Sequence, residues 1–383
     1  MEVIQATIGR FHHFHLARQL EKRGLLGKIY TGYPKFKLKD EQGIPAEKII
    51  SFPWIHAPYM ARSKFGLNKY EGLDDKWRLL DKVMFDRYIL SKLKAPSVLV
   101  ALSGTAKKAG QANQQLGGAW ICDRGSSHIK YQNEILRDEY TNWGISYREN
   151  TSEIMERECF EYEHANYITV PSKFVYDSFV EKGVPKNKLI KIPYGANLSR
   201  FSKTKEPESN SFSVLWVGMA SIRKGFFYAL EAFQNLNCKN KKFTVIGTVE
   251  EAVKSRLKNY DLTRVEFKGI VANHQLKDYY SSHHVFVLPS IEEGLAMVQG
   301  EALACGCPVI ATPNTGSEDL FEHSNEGFRV PIRNSQAILE AFEALLDQPE
   351  LRNDMSEKAL KKVESLGGWD TYGEQFTQFL SQL

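Results

Sequence analysis

The sequence has few cysteines and no long apolar run. Its 383 residues include only five cysteines, an odd number scattered along the chain: Cys122, Cys159, Cys238, Cys305 and Cys307. This distribution argues against a disulfide framework and is typical of reduced thiols in a cytosolic protein. No stretch approaches the ~20 consecutive apolar residues that a membrane-spanning helix needs, and histidines stand where a signal peptide would carry its apolar core. We therefore expect a cytoplasmic protein without a spanning segment.

Three glycine-based motifs are also missing. No Gly-x-Gly-x-x-Gly follows a predicted strand, which disfavours an ordinary dinucleotide dehydrogenase. No P-loop is present, because Gly24-Leu-Leu-Gly-Lys28 has the wrong spacing, and no Gly-x-Ser-x-Gly suggests an α/β-hydrolase. Cys305-Gly-Cys307 has no second Cys/His pair at ligand spacing and is interpreted as buried small residues.

The composition is that of a globular protein with a basic first quarter. Hydrophobic residues make up 42% and charged residues 25% of the chain, whose length is typical of two domains. Residues 1–100 hold 18 Lys+Arg against 10 Asp+Glu, a balance of +8, whereas the net charge of the whole chain is only +4. A basic region of this kind favours an anionic partner such as a membrane surface, although ordinary surface lysines are the alternative. No nucleic-acid-binding motif accompanies it.

Short apolar runs alternate with amphipathic helical stretches along the whole chain. Continuous apolar strands between helices predict parallel sheets that are covered on both faces. Residues 202–212 contain no apolar residue before Phe212, so they are interpreted as a linker between two α/β units of similar size. We accordingly predict an N-terminal domain over residues 1–200, a linker over 201–212 and a second domain over 213–365.

The stretch from Pro289 to Thr312, PSIEEGLAMVQGEALACGCPVIAT, is the most informative. A predicted strand ends at Leu288, and a helix is predicted to begin near Ala296. The free backbone N–H groups of such a helix, around Gly294, Leu295 and Ala296, can receive a phosphate. Glu293 and Glu301 lie eight positions apart, so their carboxylates can reach two different hydroxyl-bearing parts of one ligand. A helix-terminal acid and a solvated glutamate are the alternative.

Four segments of this chain resemble one enzyme family. Glu293-Gly-Leu-Ala-Met-Val-Gln-Gly-Glu301 resembles the Glu-x7-Glu signature of the family-4 retaining glycosyltransferases. Three further segments agree in order and spacing: Val170-Pro-Ser172 followed by Pro193-Tyr-Gly-Ala-Asn197; Trp216-Val-Gly-Met-Ala-Ser-Ile-Arg-Lys-Gly225; and Val285-Phe-Val-Leu-Pro-Ser290. The resemblance covers residues ~150–335 well and the N-terminal third loosely.

The resemblance implies a GT-B architecture, in which two Rossmann-like domains with parallel sheets face an interdomain cleft, and in which residues 366–383 form a helix that returns to the N-terminal domain. It also implies site residues. Glu301 would bind the nucleotide ribose and Glu293 the transferred sugar, and Lys224 would neutralise the diphosphate. The family often has an arginine where this chain has Met219, so Arg223 is the candidate for a second positive charge. The donor-binding residues implied by the resemblance are Gly9, Arg223, Lys224, Gly294, Leu295, Ala296, Met297 and Glu301.

Histidines lie in two places that the resemblance makes relevant. His128, in the segment Cys122-Asp-Arg-Gly-Ser-Ser-His128, is our candidate for the histidine that the family places near the reacting sugar, with Asp123 as its helper; a structural hydrogen bond is the alternative. His12, His13 and His15 have no carboxylate companions nearby in the sequence, so no metal site is predicted. The resemblance likewise implies that neither a metal ion nor a cofactor is required.

The resemblance implies a retaining glycosyltransferase that moves a hexosyl unit from a nucleoside diphosphate sugar to a hydroxyl of a glycan, lipid-linked or small-molecule acceptor, as in polysaccharide or glycolipid biosynthesis. A nucleotide-sugar epimerase, a phosphorylase or a non-catalytic nucleotide-sugar-binding partner would share the architecture. The segment Phe52–Phe65 mixes aromatic residues with Arg62 and Lys64. It predicts either peripheral contact with the inner face of a membrane or simply a packed irregular loop.

Overall fold

The protein contains two parallel sheets, each flanked by helices. The computed structural model describes residues 2–67, 70–196 and 198–383. Two hydrophobic cores cover the two faces of the N-terminal sheet, and a third surrounds the C-terminal sheet. The predicted α/β architecture with two Rossmann-like domains is confirmed.

Seven strands form the N-terminal sheet and six form the C-terminal sheet. In the N-terminal sheet the strands are β1 (Val3–Thr7), β2 (Leu26–Thr31), β3 (Ile49–Ser51), β4 (Val98–Leu102), β5 (Ala119–Asp123), β6 (Tyr167–Val170) and β7 (Leu189–Lys191). In the C-terminal sheet they are β8 (Phe212–Val217), β9 (Lys241–Ile246), β10 (Val265–Gly269), β11 (Val285–Leu288), β12 (Val309–Ala311) and β13 (Gly327–Arg329). All six residues of β8 are buried, as expected for a central strand with helices on both sides.

Helices cover both sheets. In the N-terminal domain they are α1 (His13–Lys22), α2 (His56–Ala61), α3 (Glu71–Lys92), α4 (Lys107–Gln115), α5 (Ile129–Asn142), α6 (Ser152–His164) and α7 (Lys173–Glu181). The remaining helices are α8 (Phe226–Asn235), α9 (Glu251–Lys254), α10 (Leu276–Ser281), α11 (Val298–Ala304), α12 (Ser335–Asp347), α13 (Pro349–Ser365) and α14 (Trp369–Leu380). None of the described helices combines the length and the apolar character that crossing a bilayer requires.

The strand order determines where a ligand can bind. The N-terminal order is β3-β2-β1-β4-β5-β6-β7 and the C-terminal order is β10-β9-β8-β11-β12-β13. The direction of the chain across the sheet therefore reverses between β1 and β4 and again between β8 and β11. Crevices at the carboxyl ends of strands beside such reversals are the usual ligand sites of open parallel sheets. The loops that follow β1, β8 and β11 are consequently the segments expected to bind a ligand.

The chain crosses between the two domains twice. It passes first through the segment between β7 and β8, where Phe201 already packs into the C-terminal core; Asn197 lies outside the described residues. It returns before α14, whose buried Tyr372, Phe376 and Phe379 belong to a core of the N-terminal domain. The last helix thus packs against α1 rather than against the domain that precedes it.

One helix prediction differs from the structure. The helix predicted to begin near Ala296 begins at Val298 instead. The Ala296 N–H donates to the Thr315 carbonyl at 3.0 Å, so this group is already satisfied by the loop after β12 and does not project as a free helix terminus.

Candidate active site in the interdomain cleft

A cleft of about 1240 Å3 lies between the two domains. Its N-terminal wall includes Arg10–His12 from the loop after β1 and Arg124–Ser126 from the loop after β5. Its C-terminal wall includes Met297 and Glu301, and Trp369 lies where the chain returns to the first domain. Both strand-order reversals therefore contribute to one crevice.

Lys224 and Glu293 form an ion pair at the second reversal. Lys224 comes from the loop after β8 and Glu293 from the loop after β11, and Lys224 Nζ lies 2.6 Å from Glu293 Oε1. The two side chains are 21% and 17% exposed, so the pair is accessible but partly shielded from water. The structure thus brings together the cation predicted to receive a diphosphate and the carboxylate predicted to bind the transferred sugar.

The loop carrying Lys224 is shaped by a glycine. Gly225 precedes α8 with a φ of 70°, in the left-handed region that favours glycine. A Cβ at this position would lie 2.2 Å from the Pro289 carbonyl oxygen. The absence of a side chain therefore lets the loops after β8 and β11 approach each other, which places Lys224 beside Glu293.

Glu301 lies on α11 and faces the cleft. Its Oε2 accepts a hydrogen bond from the Tyr280 hydroxyl at 3.1 Å. Burial raises the pKa of Glu301 to about 7, and the Tyr280 hydrogen bond only partly opposes this increase. A carboxylate with one protein donor keeps further lone pairs for the hydroxyls of a ligand.

Arg223 forms an ion pair with Glu292, a residue that the sequence motifs do not single out. Its Nε donates to the Glu292 carbonyl at 2.9 Å, and its Nη2 lies 2.8 Å from Glu292 Oε2. The Glu292 charge raises the pKa of Arg223. Arg223 lies in the loop that the resemblance indicates. Its guanidinium, which the resemblance assigns to a diphosphate, is bound by Glu292 in the structure.

Glu292 joins the two domains. Its carboxylate is fully buried and accepts hydrogen bonds from the Ser127 N–H at 3.1 Å, the Ser127 hydroxyl at 2.7 Å and the Gln132 amide at 3.0 Å. Burial by itself raises the pKa of Glu292, but Arg223 and these donors outweigh burial and lower it. The sequence signal for this contact is the presence of two consecutive glutamates. Glu292 points to the neighbouring domain and Glu293 points to Lys224.

The remaining predicted donor-binding residues lie in different surroundings. Met297 lines the cleft, whereas Leu295 and Ala296 are buried at 8% and 7% exposure. Gly294 lies at the domain contact, where a Cβ would stand 1.7 Å from the Gly125 carbonyl oxygen. Gly9 lies in the loop after β1, next to the cleft-lining segment, and the Phe11 ring would meet a Cβ there at 2.5 Å.

His128 is not brought to these residues. It caps the N-terminus of α5, where its Nδ1 accepts a hydrogen bond from the Lys130 N–H at 3.2 Å. Its ring packs against Tyr162 and Phe179 beside a second cavity of about 680 Å3. Burial, with nearby cations, lowers its pKa to about 3. His128 thus makes a structural hydrogen bond in this environment, and its role near the reacting sugar stays a prediction.

Asp123, named as the helper of His128, contacts a different pair of histidines. His12 Nε2 lies 2.6 Å from Asp123 Oδ2, and His13 Nε2 lies 3.3 Å from the same oxygen. Asp123 ends β5 and His13 begins α1, so the fold supplies the carboxylate companion that the local sequence of the histidines lacks. His12 lines the cleft.

Comparison with known proteins shows which proteins this chain is similar to. Residues 199–362 match the family model described as "Glycosyl transferases group 1". An uncharacterized glycosyltransferase of Haemophilus influenzae is 33% identical over 190 residues, 48% of each chain. A putative colanic acid biosynthesis glycosyltransferase of Escherichia coli is 28% identical over 196 residues, again 48% of each chain. The chain therefore spans about half the length of these curated relatives.

Solved structures match the whole chain. Sucrose-phosphate synthase from Thermosynechococcus elongatus superposes with a TM-score of 0.72 at 20% identity, covering 100% of this chain and 99% of that one. The Anabaena protein HepE, in a complex with UDP, superposes with a TM-score of 0.69 at 14% identity and covers 100% of both chains. The fold is the predicted GT-B architecture, and the domain that carries Lys224, Glu293 and Glu301 matches the group 1 glycosyl transferases.

Proposed function

We propose that this protein is a glycosyltransferase that moves a hexosyl unit from a nucleoside diphosphate sugar to an acceptor hydroxyl with retention of anomeric configuration. The observation that carries this proposal is the Lys224–Glu293 ion pair, which the loops after β8 and β11 form, with Glu301 of α11 lining the interdomain cleft. A cation paired with one carboxylate, and a second carboxylate eight residues further along the chain, match a ligand that has a diphosphate between two hydroxyl-bearing groups. The group 1 match of residues 199–362 and the relatives named above support the same activity.

Each residue has a role in the proposed reaction. Glu301 accepts hydrogen bonds from the ribose hydroxyls, and Glu293 accepts them from hydroxyls of the transferred sugar. The bond between the anomeric carbon and the diphosphate oxygen breaks with its electron pair on the diphosphate. The acceptor oxygen forms its bond on the same face, and its proton passes to the departing diphosphate. Lys224 stabilises the negative charge that develops there, an effect worth on the order of 3 to 4 kcal/mol for one well-placed donor.

The acceptor is proposed to be a glycan or a lipid-linked saccharide, presented at the N-terminal wall. The segments after β2 and β3 lie at the same sheet edge as the cleft loops and expose Phe36, Trp54 and Phe65 together with Lys37 and Lys64. We name these five residues the basic aromatic surface. The Ser51 hydroxyl donates to the Tyr33 carbonyl, which holds the two segments side by side. Interfacial aromatic residues with lysines favour reversible contact with an anionic leaflet.

A donor panel tests the proposed activity. The purified protein is incubated with nucleoside diphosphate sugars, beginning with UDP-sugars, and released nucleoside diphosphate is measured with and without candidate saccharide acceptors. Acceptor-dependent release that is lost in Glu293→Ala supports glycosyl transfer. Sugar isomerisation without release indicates an epimerase, phosphate-dependent release from a glycan indicates a phosphorylase, and donor binding without turnover indicates a binding partner. Any of these three outcomes overturns the proposal.

A further inference from the structure

The second cavity lies within the N-terminal domain, between the N-terminus of α5, the end of α6 and the segment after α7. Its volume of about 680 Å3 falls in the range of about 300 to 1000 Å3 that small-molecule sites usually have. Among the described residues, none lines both this cavity and the interdomain cleft. A ligand bound here would therefore be separate from the sugar donor.

His128 presents an unpartnered hydrogen-bond donor to this cavity. The Lys130 backbone N–H can only donate, so the Nδ1 that receives it carries no proton, and the proton of the neutral ring is on Nε2. The residue is only 4% exposed and lines the cavity, yet Nε2 makes no hydrogen bond within the described part of the chain. A largely buried N–H group without an acceptor is unfavourable, and the cavity is where an acceptor can lie.

The surroundings hold this donor in place. The His128 backbone N–H donates to the Ser178 hydroxyl oxygen of α7 at 2.9 Å, and the ring packs against Tyr162 and Phe179. Its Nδ1 also caps α5. The ring therefore cannot turn away from the cavity without losing the hydrogen bond that caps the helix.

The electrostatic potential at the ring favours an anion. The ring lies at the N-terminus of α5, a helix of 14 residues, where the helix dipole places partial positive charge. Burial is the main cause of the lowered pKa of His128; Arg124, Lys130 and Lys182 lower it further, whereas Glu158 raises it. A neutral N–H donor in a positive field is suited to a negatively charged acceptor.

Two lysines of the cavity can supply charge to a ligand. The Lys130 ammonium has no acid partner among the residues that the structure describes. Lys188 donates two of its three ammonium protons to carbonyl groups at the end of α6, which leaves one. Lys182 is already paired with two glutamates, and Glu163, an acid of the cavity wall, exposes 78% of its side chain to solvent.

We propose that the second cavity binds a small organic anion, a phosphate ester or a carboxylate, whose charged group accepts hydrogen bonds from His128 Nε2 and the Lys130 ammonium. Val184 and Pro185 line the cavity and contact the apolar part of the ligand. This assignment gives His128 a ligand other than the transferred sugar. The site also adjoins a domain contact, because Ser127, the preceding residue, donates to Glu292 of the other domain.

Cys159 provides a readout that belongs to this cavity. Its thiol lines the cavity and is partly buried, as is that of Cys238 in the other domain. Burial raises the pKa of Cys159, so the full chain is treated with iodoacetamide at mildly alkaline pH, and each cysteine is followed by peptide mass spectrometry. Phenyl phosphate or benzoate should slow the modification of Cys159 and leave that of Cys238 unchanged. Benzyl alcohol, a neutral analogue, should protect neither.

Two variants test the proposed contacts. His128→Asn removes the Nε2 donor but keeps a side chain that caps helices well, and Lys130→Ala removes the ammonium. Each should raise the anion concentration that half-protects Cys159 about tenfold or more, the usual loss for a hydrogen bond to a charged group. Lys186→Ala is the matched control, because this lysine lies in the same turn as Lys188 without lining the cavity. Lys224→Ala should also be protected normally, which separates this site from anion binding in the cleft.

Two outcomes overturn the proposal. One is the absence of Cys159 protection by either anion at millimolar concentration, or equal protection by benzyl alcohol. The other is unchanged protection in both His128→Asn and Lys130→Ala, with folding checked by thermal unfolding. The anion that protects at the lower concentration identifies the ligand as a phosphate ester or a carboxylate. The labelling uses no sugar donor, so its result and that of the donor panel are independent.

Discussion

The Glu301 carboxylate is the residue on which donor binding is expected to depend most directly. If it accepts hydrogen bonds from two ribose hydroxyls, Glu301→Ala should weaken donor binding by about 1.5 to 3 kcal/mol, the usual range for bonds to a charged group. Calorimetric titration with the best donor of the panel measures the loss. Glu340→Ala, an exposed glutamate on α12, is the control and should bind the donor normally. Equal affinity in folded Glu301→Ala would remove Glu301 from the donor site.

The raised pKa of Glu301 predicts a pH dependence. With its pKa at about 7, the side chain gains a proton as the pH falls through neutrality and loses the charge that favours hydroxyl donors. Donor affinity should therefore fall about tenfold for each pH unit below the pKa and level off above it. Calorimetry between about pH 6 and pH 8 detects this slope. The slope should vanish in Glu301→Gln, and a slope that persists in this variant would belong to another group.

Lys224 is expected to act mainly in the transition state. Its positive charge stabilises the diphosphate more strongly as negative charge develops on that leaving group. Lys224→Ala should therefore lower kcat by about 10² to 10³-fold. Steady-state kinetics with saturating donor measure this effect. Lys254→Ala removes an exposed lysine of the same domain and should leave kcat unchanged. A normal kcat with only a raised KM would show that Lys224 binds the donor without aiding its departure.

The contact between the loops after β5 and β11 is an element-scale test of the fold. A Cβ on Gly294 would collide with the Gly125 carbonyl, so Gly294→Ala should hold the two domains apart at this point. We expect a larger radius of gyration in solution scattering and at least a tenfold loss of transfer. Gly72→Ala is the control because a Cβ there meets nothing within 4 Å; on α3 it should be neutral or slightly stabilising. Unchanged dimensions and activity in Gly294→Ala would mean that the contact is dispensable.

The sequence predicts elements well where burial alone determines them. Central strands such as β11 have continuous apolar runs, so their positions could be predicted to within a residue or two. The start of α11 could not be predicted, because the Ala296 N–H is bound by the loop after β12, a contact between segments distant in the chain. The Lys224–Glu293 pair could be anticipated from motif resemblance. The contact of His12 with Asp123, 111 positions away, depends on strand order and has no local signal.

At the scale of the whole molecule, the basic aromatic surface predicts membrane contact. Trp54 and Phe65 are 75% and 76% exposed, whereas Arg62, the other basic residue of the segment Phe52–Phe65, is held by Asp74 and stacks on Tyr59. Lysines near an anionic leaflet contribute about 1 kcal/mol each, screened by salt. The protein should co-sediment with vesicles that contain phosphatidylserine at low salt, and the triple change Trp54→Ala, Lys64→Ala, Phe65→Ala should reduce this at least fivefold.

The control for vesicle binding is Ile270→Ala, which removes an 83% exposed apolar side chain from the other domain and should not alter sedimentation. Neutral phosphatidylcholine vesicles should bind less than anionic ones because the lysines then lack a partner charge. If the protein does not co-sediment with anionic vesicles at low salt, its acceptor is soluble and its basic residues form an ordinary solvated face.

The two crossings of the chain between the domains also determine how the cleft can open. A Cβ on Gly195, in the first crossing, would lie 2.5 Å from the carbonyl carbon of Gly368, in the second, so the two tethers touch backbone to backbone. Because the two segments adjoin, they restrict the relative movement of the domains at this end of the cleft. Tyr194 and Trp369, the neighbours of these two glycines in the sequence, line the cleft here. We therefore expect the cleft to widen for ligands mainly on the side away from the two segments.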